Sequence, residues 1–274
     1  FLAGFFAVAI TLALGFMGCM VQSNSIGSTF QTAFGVPSWV VGIVLVVICA
    51  IIFLGGVQRL ASVTEKIVPV MAAIFLLGGL VVLIARIQYL PATIAMIFQY
   101  AFQPQAIIGG GFGAALKTAI SQGAKRGLFS NEAGMGSTPH AHAQANVTDP
   151  HDQGVVAMIG VFIDTFVVLT ITALVVISTL YAGNGVLASG AAEGIAKTNM
   201  AQLAFGTVLG SRAGSMFVAV CLLFFAFSTI LSWNFFGRLN VSWLLGEKAV
   251  GVYSVLAIGF ISVSYTHLRA HETT

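Results

Sequence analysis

Between Gly127 and Ala145 the sequence reads GLFSNEAGMGSTPHAHAQA. Hydroxyls, amides, small residues and one carboxylate (Glu132) are gathered there, bracketed by long apolar runs. Gly127, Gly134, Gly136 and Pro139 argue against a continuous helix, since Gly costs about 1 kcal/mol and interior Pro about 3 kcal/mol relative to Ala. A helix interrupted at membrane depth exposes unpaired N–H groups at one break and unpaired C=O groups at the other. The first attract a carboxylate and the second a cation. A zwitterionic amino acid together with a metal cation would suit both ends. Freed backbone at that depth must face protein or a wet cavity, because lipid cannot satisfy it. The competing interpretation is a flexible cytoplasmic loop.

Other residues carry chemistry singly or in pairs. Gln22 and Asn24 sit at the end of an apolar run, where amides serve as interhelical glue. Ser228 and Thr229 are adjacent hydroxyls, one turn before Trp233. Such hydroxyls bond their own helix's carbonyl four residues back, and they are also hard oxygen donors suited to a small alkali cation. Thr229 and Trp233, at i and i+4, share a face. Asp164 is the one carboxylate inside an otherwise clean apolar span, and intramembrane ionisable groups default to functional hypotheses. It suits a cation or proton site, or a pin between helices. Glu132 carries the same two alternatives: a site for the solute or ion, or an organiser of unwound backbone with Lys125 or Arg126 as partner. His140, His142, His151, Asp149 and Asp152 lie within thirteen residues, but their spacing is poor for a metal and reads as a cytoplasmic loop. GGGFG (Gly109–Gly113) precedes no nucleotide-binding strand and reads as a tight turn.

The elements that must position these residues follow from composition. The chain is 58% apolar and 7% charged, with mean hydropathy +1.01. Soluble domains carry about 25% charged residues, so this is an integral membrane protein. A net charge of +3 is too small to suggest nucleic acid. Runs near the 17–25 residues needed to span a bilayer are Phe1–Val21, Val36–Phe53, Ile67–Ala85, Val155–Leu180 and Gly214–Phe236. Ala249–Val263 is a shorter one, and Ile107–Ala145 forms one interrupted unit. Gln58–Lys66 and Gly237–Lys248 are basic connections, placed in the cytoplasm by the positive-inside rule. Both fall on that side only if Ile107–Ala145 counts as a single crossing. Pro91–Phe102 reads as an interfacial helix, and Ala182–Ser211 as an external connection with a short helix over Thr198–Leu209. Cys19, Cys49 and Cys221 lie in apolar runs and read as buried thiols.

The sequence opens inside an apolar segment with no initiator Met or leader, as an interior piece of a longer protein would. Residues 1–263 are expected to form one transmembrane domain, incomplete at both ends. The last stretch, SYTHLRAHETT (264–274), resembles a translated adapter remnant and is set aside with His267 and His271.

GLFSNEAGMGSTPHAHA resembles the signature of the sodium-coupled alanine or glycine symporter family, in the amino acid–polyamine–organocation group with its LeuT-like fold. GCMVQSNS (Gly18–Ser25), QRLASVTEKIVPVMA (Gln58–Ala72), DQGVVAMIGVFIDT (Asp152–Thr165) and LFFAFSTILSWNFFG (Leu223–Gly237) agree, in family order. The resemblance implies an all-α polytopic transporter of two inverted five-helix repeats, with this chain covering roughly the third to ninth helices. It implies symport of a small neutral amino acid, alanine or glycine, with Na+ across the plasma membrane by alternating access. No further cofactor, catalytic residue or resident metal is implied. By the same resemblance Gln22, Ser130, Asn131, Gly134, Gly136, Thr229 and Trp233 bind substrate, with Trp233 limiting side-chain size. Asn24 caps its helix. Ser228, Thr229 and Asp164 serve the sodium ion, Asp164 through packing near the ion path. At Ser232, Phe235, Phe236 and Arg238 the chain departs from the family's usual residues, which bears on substrate size and local charge. The alternatives are an intramembrane metal-dependent hydrolase using Glu132, His140 and His142, or a fragment inactive by itself.

Overall fold

The computed structural model describes residues 1–102, 112–183, 185–188 and 199–267, and every regular element among them is helical. In chain order these are α1 (Leu2–Phe34), α2 (Ser38–Leu54), α3 (Gly56–Ala85), α4 (Leu90–Phe102), α5 (Phe112–Leu128), α6 (Glu132–Met135) and α7 (Thr138–His142). Then follow α8 (Pro150–Leu180), α9 (Met200–Leu209), α10 (Ser211–Leu245) and α11 (Glu247–His267). Among the described residues, Leu2–Phe34, Ser62–Ala85, Pro150–Leu180 and Ser211–Leu245 are long and apolar enough to cross a membrane. Of Gly109–Gly113, the first three lie outside the described residues, as do His271 and most of the C-terminal tail.

Three boundaries differ from the sequence expectation, each for a local reason. α1 does not end near Val21. It runs thirteen residues further, so Gln22 and Asn24 lie inside the helix and Asn24 caps nothing. The polar stretch stays helical because its hydroxyls find partners one turn back: Ser25 donates to the Val21 carbonyl at 3.0 Å, Thr29 to Ser25 at 2.9 Å and Thr32 to Ser28 at 3.1 Å. The helix stops at Gly35, whose φ of 71° closes it with a bond to the Gln31 carbonyl. Gln58–Lys66 is the first part of α3 rather than a connection, and Pro69 sits inside that helix. Gly237–Lys248 likewise continues α10 as far as Leu245, and the chain turns at Gly246, φ 84°.

The described residues divide into two compact units: 1–78 with 199–267, and 79–102 with 112–183 and 185–188. In the first, α1, α2, α10 and α11 bury an apolar core containing Leu14, Ile26, Phe53, Ile230 and Ile261. Cys19, Cys49 and Cys221 are buried free thiols. Small residues admit large ones. A Cβ at Gly15 or Gly237 would run into the hydroxyl of Tyr253, a residue 3% exposed. That hydroxyl has no hydrogen-bond partner among the described residues. In the second unit the Arg86 guanidinium donates twice to the Ser178 carbonyl, at 3.1 and 2.7 Å, while lying 3.9 Å over the Tyr89 ring. It thereby satisfies a carbonyl in the last turn of α8, which the helix itself leaves open.

Both α1 and α8 contain a π-helical stretch, at Thr11–Gly18 and Ile163–Val168. Such turns widen the helix by one residue and concentrate at functional sites.

The wedge of Tyr253 between two glycines yields a prediction. Gly237→Ala gains about 1 kcal/mol of helix propensity, but overpacking against a ring that Gly15 blocks from behind costs about 1–3 kcal/mol. The full-length protein carrying Gly237→Ala should therefore unfold at a lower temperature in detergent. Adding Tyr253→Phe, which removes the hydroxyl but leaves Cζ against the new methyl, should restore only part of the loss, and Tyr253→Leu more of it.

Candidate functional site

The interrupted segment belongs to the second unit. α5 ends at Leu128 with Lys125 and Arg126 in its last turn, a favourable place for cations on the helix dipole. Asn131 is extended, φ −153° and ψ 172°, and its side chain works in two directions. The Oδ1 accepts from the Gly134 N–H at 3.1 Å, capping α6, and the Nδ2 donates to Thr165 Oγ1 at 3.1 Å. α6 lasts a single turn. Gly136, at φ 74°, ends it, and its N–H and that of Ser137 turn back to the Ala133 and Glu132 carbonyls. Ser137, fully buried, donates its hydroxyl to the Glu132 carboxylate. Gly134 is required sterically, because any Cβ there would meet the Leu128 peptide.

Thr165 is the central residue of Pro150–Leu180, a helix of membrane-crossing length. The break is thus tied to the midpoint of a spanning helix, within the π-helical stretch that also carries the partly buried Asp164. Two grooves flank the tie. One, of about 850 Å³, brings Ser130 and Gly134 together with Lys125 and Arg126. The other, of about 630 Å³, is apolar and includes Gly136, Thr138 and Phe162. The first supplies a hydroxyl and two cations to an anion. The second supplies grease, with the Thr138 hydroxyl buried beside it and unpartnered among the described residues.

The remaining candidates lie in the first unit. Ser228 and Thr229 both donate to the Phe225 carbonyl, at 2.9 and 2.8 Å. A hydroxyl that gives its proton to the backbone keeps its lone pairs, so this back-bonding is compatible with ligating a cation. Ser228 also lies 3.6 Å from the Met71 sulfur. Trp233 is 5% exposed, its ring pressed onto Gly18 of α1, and the Cys19 thiol reaches the Ile230 carbonyl at 3.8 Å. Further along, Gln202 of α9 donates to the carbonyls of both Thr29 and Ser215, at 3.0 and 3.2 Å. These contacts show that α1 and α10 run antiparallel. Gln22 follows Gly18 by one turn along α1, and Thr229 precedes Trp233 by one turn along α10.

Sequence reasoning passed over Thr165 and Ser137 as partners of the interrupted segment, and Gly18 as the seat of Trp233. Only Gly18 left a signal, in its spacing of three from Gly15. The histidines show no metal arrangement: among the described residues, no group of three or more His, Cys, Asp or Glu could hold a metal. His142 Nδ1 is instead 2.6 Å from Gln153 Nε2, and His140 Nδ1 is 3.1 Å from the Ser137 carbonyl.

The model of the sodium:alanine symporter family matches residues 1–270. The sodium/alanine symporter AgcS of Methanococcus maripaludis is 38% identical over 250 residues, 91% of this chain and 52% of that protein. The amino-acid carrier protein AlsT of Bacillus subtilis is 38% identical over 257 residues, covering 93% and 52%. A sodium/proton-dependent alanine carrier protein of Bacillus sp. PS3 is 32% identical over 267 residues, covering 94% and 58%. The chain spans about half the length of the curated relatives it matches. Their names are those of transporters rather than enzymes. With membrane-length apolar helices and a family match over nearly its whole length, this is a multi-pass plasma-membrane protein that belongs to the sodium:alanine symporter family.

Proposed function

We propose that this chain forms the substrate- and ion-handling part of a secondary transporter that carries a small neutral amino acid inward with Na+. The observation that carries this reading is the hydrogen bond from Asn131, in the interrupted segment, to Thr165 at the centre of α8. Irregular backbone held at the middle of a spanning helix is tolerated only where it lines protein or a wet cavity, and that is where transporters place their sites. Ser130, Asn131, Gly134 and Gly136 form the substrate contacts of that segment. Gln22 of α1 and Thr229 of α10 accept from the substrate's ammonium, and Trp233 closes the side-chain end. Ser228 and Thr229 offer lone pairs to the sodium ion, with Asp164 adding the carboxylate of the ion path. The fold is the LeuT-like inverted repeat, and alternating access arises from rocking of one helical bundle against the other around this site. Alanine is the proposed substrate, in keeping with what AgcS and the PS3 carrier are named for.

Uptake of radiolabelled alanine by the full-length protein in proteoliposomes, with sodium against choline outside, tests the reading. Uptake equal in both buffers removes it. Thr229→Val deletes one oxygen ligand, and a loss of about 1.4 kcal/mol corresponds to a tenfold weaker half-saturation for sodium. An unchanged sodium dependence would remove Thr229 from the ion site. Trp233→Ala should let larger neutral amino acids compete with alanine, as measured by inhibition of uptake.

A further inference from the structure

Trp233 does not set its own position. The indole lies on Gly18, and a Cβ at that residue would stand 2.5 Å from the ring's Cε3 and overlap Cζ3. No carbon–carbon contact is that short, since optimal separation is about 3.5–4.0 Å. The helices cannot part to make room without undoing the neighbouring contact, where the Cys19 thiol bridges from the Leu14 carbonyl, at 3.4 Å, to the Ile230 carbonyl of α10. The ring is also nearly closed off from solvent, at 5% exposure. In a helix a long side chain covers the turn preceding its own Cα, so the indole extends toward Thr229. A Cβ at Gly18 therefore drives the indole away from α1, beside the turn that carries Thr229.

We infer that Gly18 is the positioning residue for substrate size: its missing side chain lets Trp233 sit back by the breadth of one methyl group, the difference between a pocket for glycine and one for alanine. The inference rests on Trp233 closing the side-chain end of the pocket, as proposed above. Gln22 follows Gly18 by one turn on the same face of α1, so one face carries both the amide and the seat of the indole.

The test is competitive uptake of glycine and alanine by the full-length protein in four forms: unaltered, Gly18→Ala, Trp233→Phe, and the double variant. Gly18→Ala is expected to raise the alanine KM about tenfold relative to the glycine KM, with little change in maximal rate. Phe lacks the benzo edge that meets position 18, so Trp233→Phe should relax discrimination and the double variant should match it. An unchanged glycine-to-alanine ratio in Gly18→Ala, with Trp233→Phe altering selectivity, overturns the role of Gly18 and leaves the pocket reading standing. Unaltered selectivity in both single variants overturns the pocket reading itself. If Gly18→Ala fails to accumulate in the membrane, the Trp233→Phe background decides. Accumulation restored there, with the selectivity of Trp233→Phe, supports the inference; failure there as well shows that the ring is not what Gly18 accommodates, and overturns it.

Discussion

The hydrogen bond between Asn131 and Thr165 is the constraint on which the candidate site depends. Without it, the interrupted stretch would be held to α8 chiefly at its far end, where His142 meets Gln153. With it, one amide does two tasks: its oxygen starts α6 and its nitrogen fixes the height of that start against the centre of a 31-residue helix. Both tasks are worth more in an apolar surrounding than in water, because the alternative there is an unsatisfied polar group. Ser137 and Glu132 close the other end of the same turn, so the interruption is a built structure rather than slack chain.

Most of this architecture was legible from composition and punctuation. Apolar run lengths located the long helices, and glycines with a proline located the interruption at its correct residues, Gly136 included. The short helices at Leu90–Phe102 and Met200–Leu209 were also readable. What misled were polar stretches inside helices. Gln22–Ser28 and Gln58–Lys66 look like ends to a hydropathy argument, yet hydroxyls at i→i−4 let the helix absorb them: Thr64 donates to the Leu60 carbonyl at 3.0 Å, as Ser25 and Thr29 do in α1. The π-helical stretches at Thr11–Gly18 and Ile163–Val168 left no mark in the sequence.

The site was legible in part. Ser228 and Thr229 were recognisable as a hydroxyl pair, and the structure shows that their protons are already committed to Phe225. The pairing of Gly18 with Trp233 needed coordinates, because 215 residues separate the two and no local rule links them. Glycines in apolar helices have many uses, and only the facing side chain tells which one applies. Here two aromatic rings, Trp233 and Tyr253, settle into the same α1 surface through Gly18 and Gly15. The fit of α1 against α10 and α11 is therefore a matter of where bulk is missing.

The length of α10 has a mechanical consequence. At a rise of 1.5 Å per residue, its 35 residues extend about 50 Å, well beyond a hydrocarbon layer of about 30 Å. The stretch beyond Trp233 is clamped: Arg238 donates to the Phe53 carbonyl of α2 at 2.8 Å and Val241 packs with Val250 and Tyr253 of α11, while Trp243, 65% exposed, suits the headgroup zone. Any tilt of α10 about the Trp233 contact therefore carries α2 and α11 along with it instead of swinging a loose end.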